Sequence, residues 1–168
     1  MYKNILYPTD GSEGAETALE HCRNLATTYE ATVHVLYVAE QVGQHGLSRD
    51  VEVSDQRGMV GDPEGEGPGM VGDRTKAEEK RARVEEHGTA LVEEVASRFG
   101  DAEVKTAVQE GKPYAAILDY VDAHDIDLVV MGTHGRTGID RYLLGSVTEK
   151  IVRTSDVPVL TVRQDEDS

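Results

Sequence analysis

Three glycines and a serine near the C-terminal end have the types and spacing to do chemistry. The chain reads Gly132-Thr133-His134-Gly135, then nine residues, then Gly145-Ser146. An apolar run, Leu128-Val129-Val130-Met131, precedes the first glycine, and a helix-like run from Ser146 to Val152 follows the last. A strand, a glycine loop and a helix start together form a cradle for phosphate. Glycine lets a ligand approach the backbone and tolerates positive φ. The first N–H groups of a helix lack intrahelical partners and sit at the positive end of its dipole. Ser146-Val147-Thr148-Glu149 also fits a capping box, with Ser146 expected at the N-cap and Glu149 three residues on. Any two of these glycines alone would read as turn-formers; flanked by strand and helix, the set points to a bound nucleotide.

The elements that must position this loop are legible from periodicity. Asn4-Ile5-Leu6-Tyr7 is a short apolar strand ended by Pro8. After a turn at Asp10-Gly11-Ser12, the residues Ala15, Ala18, Leu19, Cys22, Leu25 and Ala26 recur at helical spacing behind Glu13 and Glu16. Thr32 to Val38 is a β-branched second strand. A helix is expected to resume near Thr75, with Leu91, Val95 and Phe99 on its buried side, Val84 and Gly88 on or near it, and Gly100 at its end. Val104–Val108 is a third strand, Pro113 opens a third helix with Ile117, Leu118 and Val121 inward, and Val157–Val162 is the last strand. Five strands alternating with four helices predict one α/β domain over residues 1–168 with a parallel sheet. Residues 43–72 interrupt the pattern: they are rich in Gly and acidic side chains and predict a flexible insertion, either a lid or a plain surface loop.

Composition narrows the function. The formal charge is −15, with 32 acidic residues against 17 Lys and Arg. Nucleic-acid surfaces need cations to neutralise phosphates, so a DNA- or RNA-binding role is not expected. The same acidity suits concentrated salt, where the Debye length falls to about 3 Å at 1 M and self-repulsion is screened. No apolar run reaches the length of a membrane span and Met1-Tyr2-Lys3-Asn4 does not open a signal peptide, which predicts a cytoplasmic protein. Cys22 is the sole cysteine and falls on an apolar helix face, as a small buried side chain would. His21, His34, His45, His87 and His124 lack metal-ligand spacing. Pro158 favours an edge position for the last strand, and a bare apolar edge is satisfied by a second copy or by a covering tail.

Several of these segments match a known family. Ile5-Leu6-Tyr7-Pro8-Thr9-Asp10-Gly11-Ser12, Val130-Met131-Gly132-Thr133-His134-Gly135-Arg136-Thr137-Gly138, Leu144 to Val152 and Val157-Pro158-Val159-Leu160 resemble the universal stress proteins. The G-x2-G-x9-G-[S/T] pattern is that of the family's ATP-binding branch. The resemblance implies a flavodoxin-like or Rossmann-like five-stranded sheet in order 3-2-1-4-5, with helices on both faces and ATP at the carboxyl ends of the strands. It puts Asp10 and Gly132 near the ribose, with Pro8 and Thr9 in the same site after strand one, the Val38 backbone against adenine, and Met131 along the nucleoside pocket. Gly135, Gly145, Ser146 and Val147 would hold the phosphates. It also implies a homodimer through 157–162 and at most slow hydrolysis.

Residue chemistry leaves some roles open. Asp10 accepts from a ribose hydroxyl, helps hold Mg2+ or Mn2+ through water, or simply makes the turn. Arg136 offsets phosphate charge or lies in an exposed loop. His134 has no identifiable catalytic partner. The chain carries no G-K-[ST] lysine and no Ser-His-Asp order, so no catalytic residue is assigned. Three readings follow: an ATP-binding stress or regulatory module, a Mg-dependent ATPase or nucleotidyl transferase, and a dimeric interaction protein binding another adenylate.

Overall fold

The computed structural model describes residues 1–40, 71–134 and 144–164, with side chains of 71–73 excluded. Its elements are β1 (Asn4–Pro8), α1 (Glu13–Tyr29), β2 (Thr32–Ala39), α2 (Val71–Ser97), β3 (Val104–Glu110), α3 (Pro113–Ala123), β4 (Leu128–Gly132), α4 (Ser146–Thr154) and β5 (Val159–Val162). The strands form one parallel sheet in the order β3-β2-β1-β4-β5, as expected.

Alternation along the strands divides the core in two. Ile5, Tyr7, Val33, Val35, Tyr37, Leu128 and Val130 face α1 and α2, meeting Ala18, Cys22, Val92, Val95 and Phe99. Leu6, Leu36, Val129 and Met131 face α3 and α4, meeting Ile117, Tyr120, Val121 and Ile151. Both faces of β1 and β4 are therefore covered, which is why their sequences are unbroken apolar runs. Small side chains on α1 let it lie close to the sheet, and burial pushes the Cys22 thiol up to about 12, far from a reactive thiolate.

Local signals set the boundaries. Ser12 caps α1, its Oγ accepting from the Ala15 N–H at 3.3 Å, and Pro113 opens α3. Gly100, at φ +67°, follows α2 where only glycine is unstrained. Gly88 lies against the Tyr37 ring, where a Cβ would be 2.5 Å from Cδ1. The expected start of α2 moves: the helix begins at Val71, so the last two residues of 43–72 are helical. Its buried side also includes Val92, with Leu91 only partly covered. The rest of the acidic insertion lies outside the described residues. Among the described residues no helix is long and apolar enough to cross a membrane.

Candidate functional site

The order of strands reverses between β1 and β4, so the loops leaving these neighbours diverge to opposite faces and open a crevice at their carboxyl ends. Four segments meet there.

The first is the exit of β1. Pro8 and Thr9 are buried, and the Thr9 N–H donates to the Leu36 carbonyl at 2.9 Å. Thr9 Oγ1 accepts from the Gly11 N–H, and Asp10 Oδ1 accepts from the Ser12 N–H at 2.9 Å. Asp10 thus makes the turn that delivers Ser12 to the start of α1, at least with one carboxylate oxygen.

The second is the end of β2. Backbone groups of successive strand residues point to alternate neighbours. The Leu36 carbonyl points to β1, where it meets Thr9, and the Ala39 carbonyl points to β3, where it accepts from the Gly111 N–H at 3.0 Å. The N–H and C=O of Val38 therefore point toward β1. The β1–β2 register ends at Pro8–Leu36, so at the level of Val38 they face the crevice rather than a strand.

The third is the exit of β4. Met131 is buried on the α3/α4 face. Gly132 and Gly14 are packed backbone to backbone: a Cβ on Gly132 would collide with the Gly14 carbonyl, and one on Gly14 with the His134 carbonyl. The glycine at 132 is thus required by the approach of α1, whatever a ligand also gains from it. Thr133 Oγ1 lies 2.9 Å from His134 Nδ1, and the buried His134 Nε2 has no hydrogen-bond partner among the described residues.

The fourth is the start of α4. The Gly145 N–H donates to the Thr133 carbonyl at 2.7 Å, which closes the loop and sets the helix start beside the end of β4. Here the capping box is corrected. Gly145 is the N-cap, Ser146 is the first helical residue, and among the described residues no side chain caps the turn. The Glu149 carboxylate does not reach back to the N-cap; it pairs with Arg153 at 3.0 Å. The N–H groups of the first turn are thereby left for water or a ligand.

Sequence reading missed two residues. Thr148 is buried, and its hydroxyl donates to the Gly132 carbonyl at 3.0 Å, tying α4 to β4. A hydroxyl at the third helical position of a strand–loop–helix unit was the available signal. Lys150 Nζ sits 4.4 Å from the centroid of the Tyr114 ring, joining α4 to α3. Gly135 and Arg136 lie outside the described residues. The structure brings Pro8, Thr9, Asp10, Val38, Met131, Gly132, Gly145, Ser146 and Val147 to the carboxyl end of the sheet.

A family model described as "Universal stress protein family" matches residues 1–163. The chain belongs to this family. Universal stress protein MJ0531 of Methanocaldococcus jannaschii is 32% identical over 164 residues, covering 98% of this chain and 84% of the relative. Universal stress protein MJ0577 of the same organism is 31% identical over 170 residues, covering 98% and 96%. A solved structure of MJ0577 superposes with a TM-score of 0.76 at 28% identity and 99% coverage of both chains. A universal stress protein family member from Arabidopsis thaliana, solved with AMP bound, shares the fold at TM-score 0.57 and 14% identity, covering 99% of this chain and 94% of that one.

Proposed function

We propose that the protein is an ATP-binding stress or regulatory module. The observation that carries the reading is the pairing, across one crevice, of an uncapped α4 start with the crevice-facing backbone of Val38. A helix start without a side-chain cap offers its N–H groups to phosphate. A strand N–H and C=O side by side suit the ring nitrogen and exocyclic amine of adenine. Gly145, Ser146 and Val147 hold phosphate by their backbones; Thr9, Asp10 and Gly132 border the ribose; Met131 packs along the nucleoside. Gly135 completes the phosphate side by family resemblance, and Arg136 beside it offsets phosphate charge. No group of three or more His, Cys, Asp and Glu suited to a metal ion occurs among the described residues. A Mg2+ or Mn2+ would then be held chiefly by the phosphates, with Asp10 contributing through water.

Holding is favoured over cleaving. Asp10 Oδ1 is engaged by its own turn, and a cradle made of backbone N–H groups stabilises the bound phosphates without moving a proton. The experiment is direct: nucleotide released by heat-denaturing the purified protein is identified, and ATP, ADP, AMP and cyclic AMP are titrated calorimetrically. ATP in the supernatant, or tightest binding by ATP, supports the reading. No heat with any of them removes it, and preference for another adenylate replaces it with the third reading. Steady-state phosphate release well above one turnover per minute would make the protein an enzyme.

A further inference from the structure

Lys150 on α4 pairs with no carboxylate among the described residues, although its neighbours Glu149 and Arg153 pair with each other at 3.0 Å. Carboxylates are not scarce in this chain, which has 32 acidic residues against 17 Lys and Arg. The Lys150 ammonium instead lies 4.4 Å from the centroid of the Tyr114 ring. Lys150 is exposed, and Tyr114 is half-buried against the cluster that includes Met131 and Ile151.

The ring fixes the level at which that charge stands. Both α3 and α4 follow strands of the parallel sheet and pack on the same face, so both helices begin at its carboxyl end. Tyr114 is in the first turn of α3, and Ser146 is the first residue of α4. Lys150 follows Ser146 by four positions and Val147 by three. Side chains at these spacings are neighbours, with Cβ atoms about 5–6 Å apart. Helical side chains also lean toward the N-terminus. A flexible four-carbon stem leaning that way covers the separation and carries the ammonium to the first turn of its own helix. Its seat over Tyr114, at the start of the neighbouring helix, agrees with this.

We infer that Lys150 is a further binding residue, the cation that balances the phosphates held at the start of α4, with Tyr114 keeping the ammonium at that level. The inference rests on the nucleotide reading above. Backbone N–H groups offer a phosphate only partial charges, whereas Lys150 offers a full charge and three donors. Glu149 in the same turn is already offset by Arg153, so Lys150 adds a net positive charge there. An aromatic face holds an ammonium less strongly than a phosphate oxygen does, and rotation about the lysine stem moves the amine from one to the other.

The test compares ATP with adenosine, which keeps the base and ribose and carries no phosphate, by calorimetric titration of the full chain at low salt. Lys150→Met keeps an unbranched side chain and removes the charge, while Lys150→Arg keeps the charge. Lys150→Met should lose roughly fivefold in ATP affinity and nothing in adenosine affinity, with Lys150→Arg close to wild type for both. The difference between wild type and Lys150→Met should shrink as KCl rises, because salt screens a charge contact. Equal losses for both ligands would make Lys150 a packing residue and overturn the assignment, as would an unchanged ATP affinity. A wild type that binds neither ligand overturns the nucleotide reading and this one with it. Melting temperatures close to wild type establish that these exposed-site variants fold.

Discussion

A single imidazole shows how burial sets chemistry at the residue scale. His34 is 2% exposed in the middle of β2. Its Nδ1 lies 2.9 Å from the Tyr120 hydroxyl, and its buried Nε2 has no hydrogen-bond partner among the described residues. Tyr120 in turn stacks on His124, with ring centroids 3.7 Å apart. Burial lowers the His34 pKa from its ordinary value, with Lys105 and His124 adding to this and Glu103 opposing it. The folded chain thus holds His34 neutral, while the unfolded chain takes up a proton as the pH falls below about 6.5. The contribution is intact above that pH and is lost as the pH falls toward the lowered folded value. Thermal melts between pH 7.5 and 5.5 should show wild type losing stability faster than His34→Leu, since other titrating groups are common to both. Parallel profiles would mean that His34 takes up its proton equally in the folded and unfolded states. Thr148 offers a second residue-scale expectation. Thr148→Val keeps the volume but leaves the buried Gly132 carbonyl without this donor, costing about 1–3 kcal/mol in denaturant unfolding. A cost near zero would mean that another donor, or water, replaces it.

What periodicity can and cannot reveal becomes clear at the element scale. The apolar runs of β1 and β4 were legible because both faces of each strand are covered, and α1 because its buried stripe repeats at helical spacing behind a serine cap. The start of α2 was not, because residues 74–83 are exposed and offer no buried stripe to count. The α4 cap was misassigned for a different reason. Ser-x-x-Glu is satisfied whether serine is the cap or the first helical residue, and what decides is the extended backbone of Gly145, at φ −55° and ψ 149°. Of the candidate site, the glycine spacing was visible. The Gly14–Gly132 contact was not, since it joins residues far apart in sequence and exists only once α1 lies on β4. The uncapped α4 start yields a prediction with opposite signs. Gly145→Asp supplies the missing side-chain acceptor and a negative charge at the helix start, stabilising the fold by about 0.5–1 kcal/mol. The same carboxylate occupies and repels the phosphate position, so ATP affinity should fall by more than roughly tenfold, several like-charge contacts being lost or reversed. A variant that melts higher yet binds ATP as wild type does would move the phosphates away from α4.

The two sheet edges differ, and this difference reaches the whole molecule. On β3, Lys105 and Thr106 are exposed and Arg81 forms a two-pronged pair with Glu110 at 2.7 Å, so the edge is polar and guarded by α2. On β5, Leu160 is 37% exposed, and Val152 of α4 and Leu144 are exposed apolar side chains as well. Pro158 precedes the strand, and its carbonyl is already used by the Val129 N–H. A second copy laid along β5 would cover Leu160 and satisfy the outward backbone groups at once, which supports a homodimer through 157–162. Charge would set the conditions under which such a dimer forms. With a formal charge of −15 per chain, two copies repel strongly in dilute buffer and much less near molar salt. Light scattering coupled to gel filtration should therefore give a dimer whose dissociation constant falls as KCl rises from low to molar concentration. Leu160→Asp should shift the protein to monomer at every salt concentration, by adding a charge to the edge and removing its apolar cover. Because β5 lies at the far edge of the sheet from Val38, that monomer should still bind ATP. A Leu160→Asp protein that remains dimeric would place the interface elsewhere, and a wild type that is monomeric in molar KCl would leave β5 to a covering segment of its own chain.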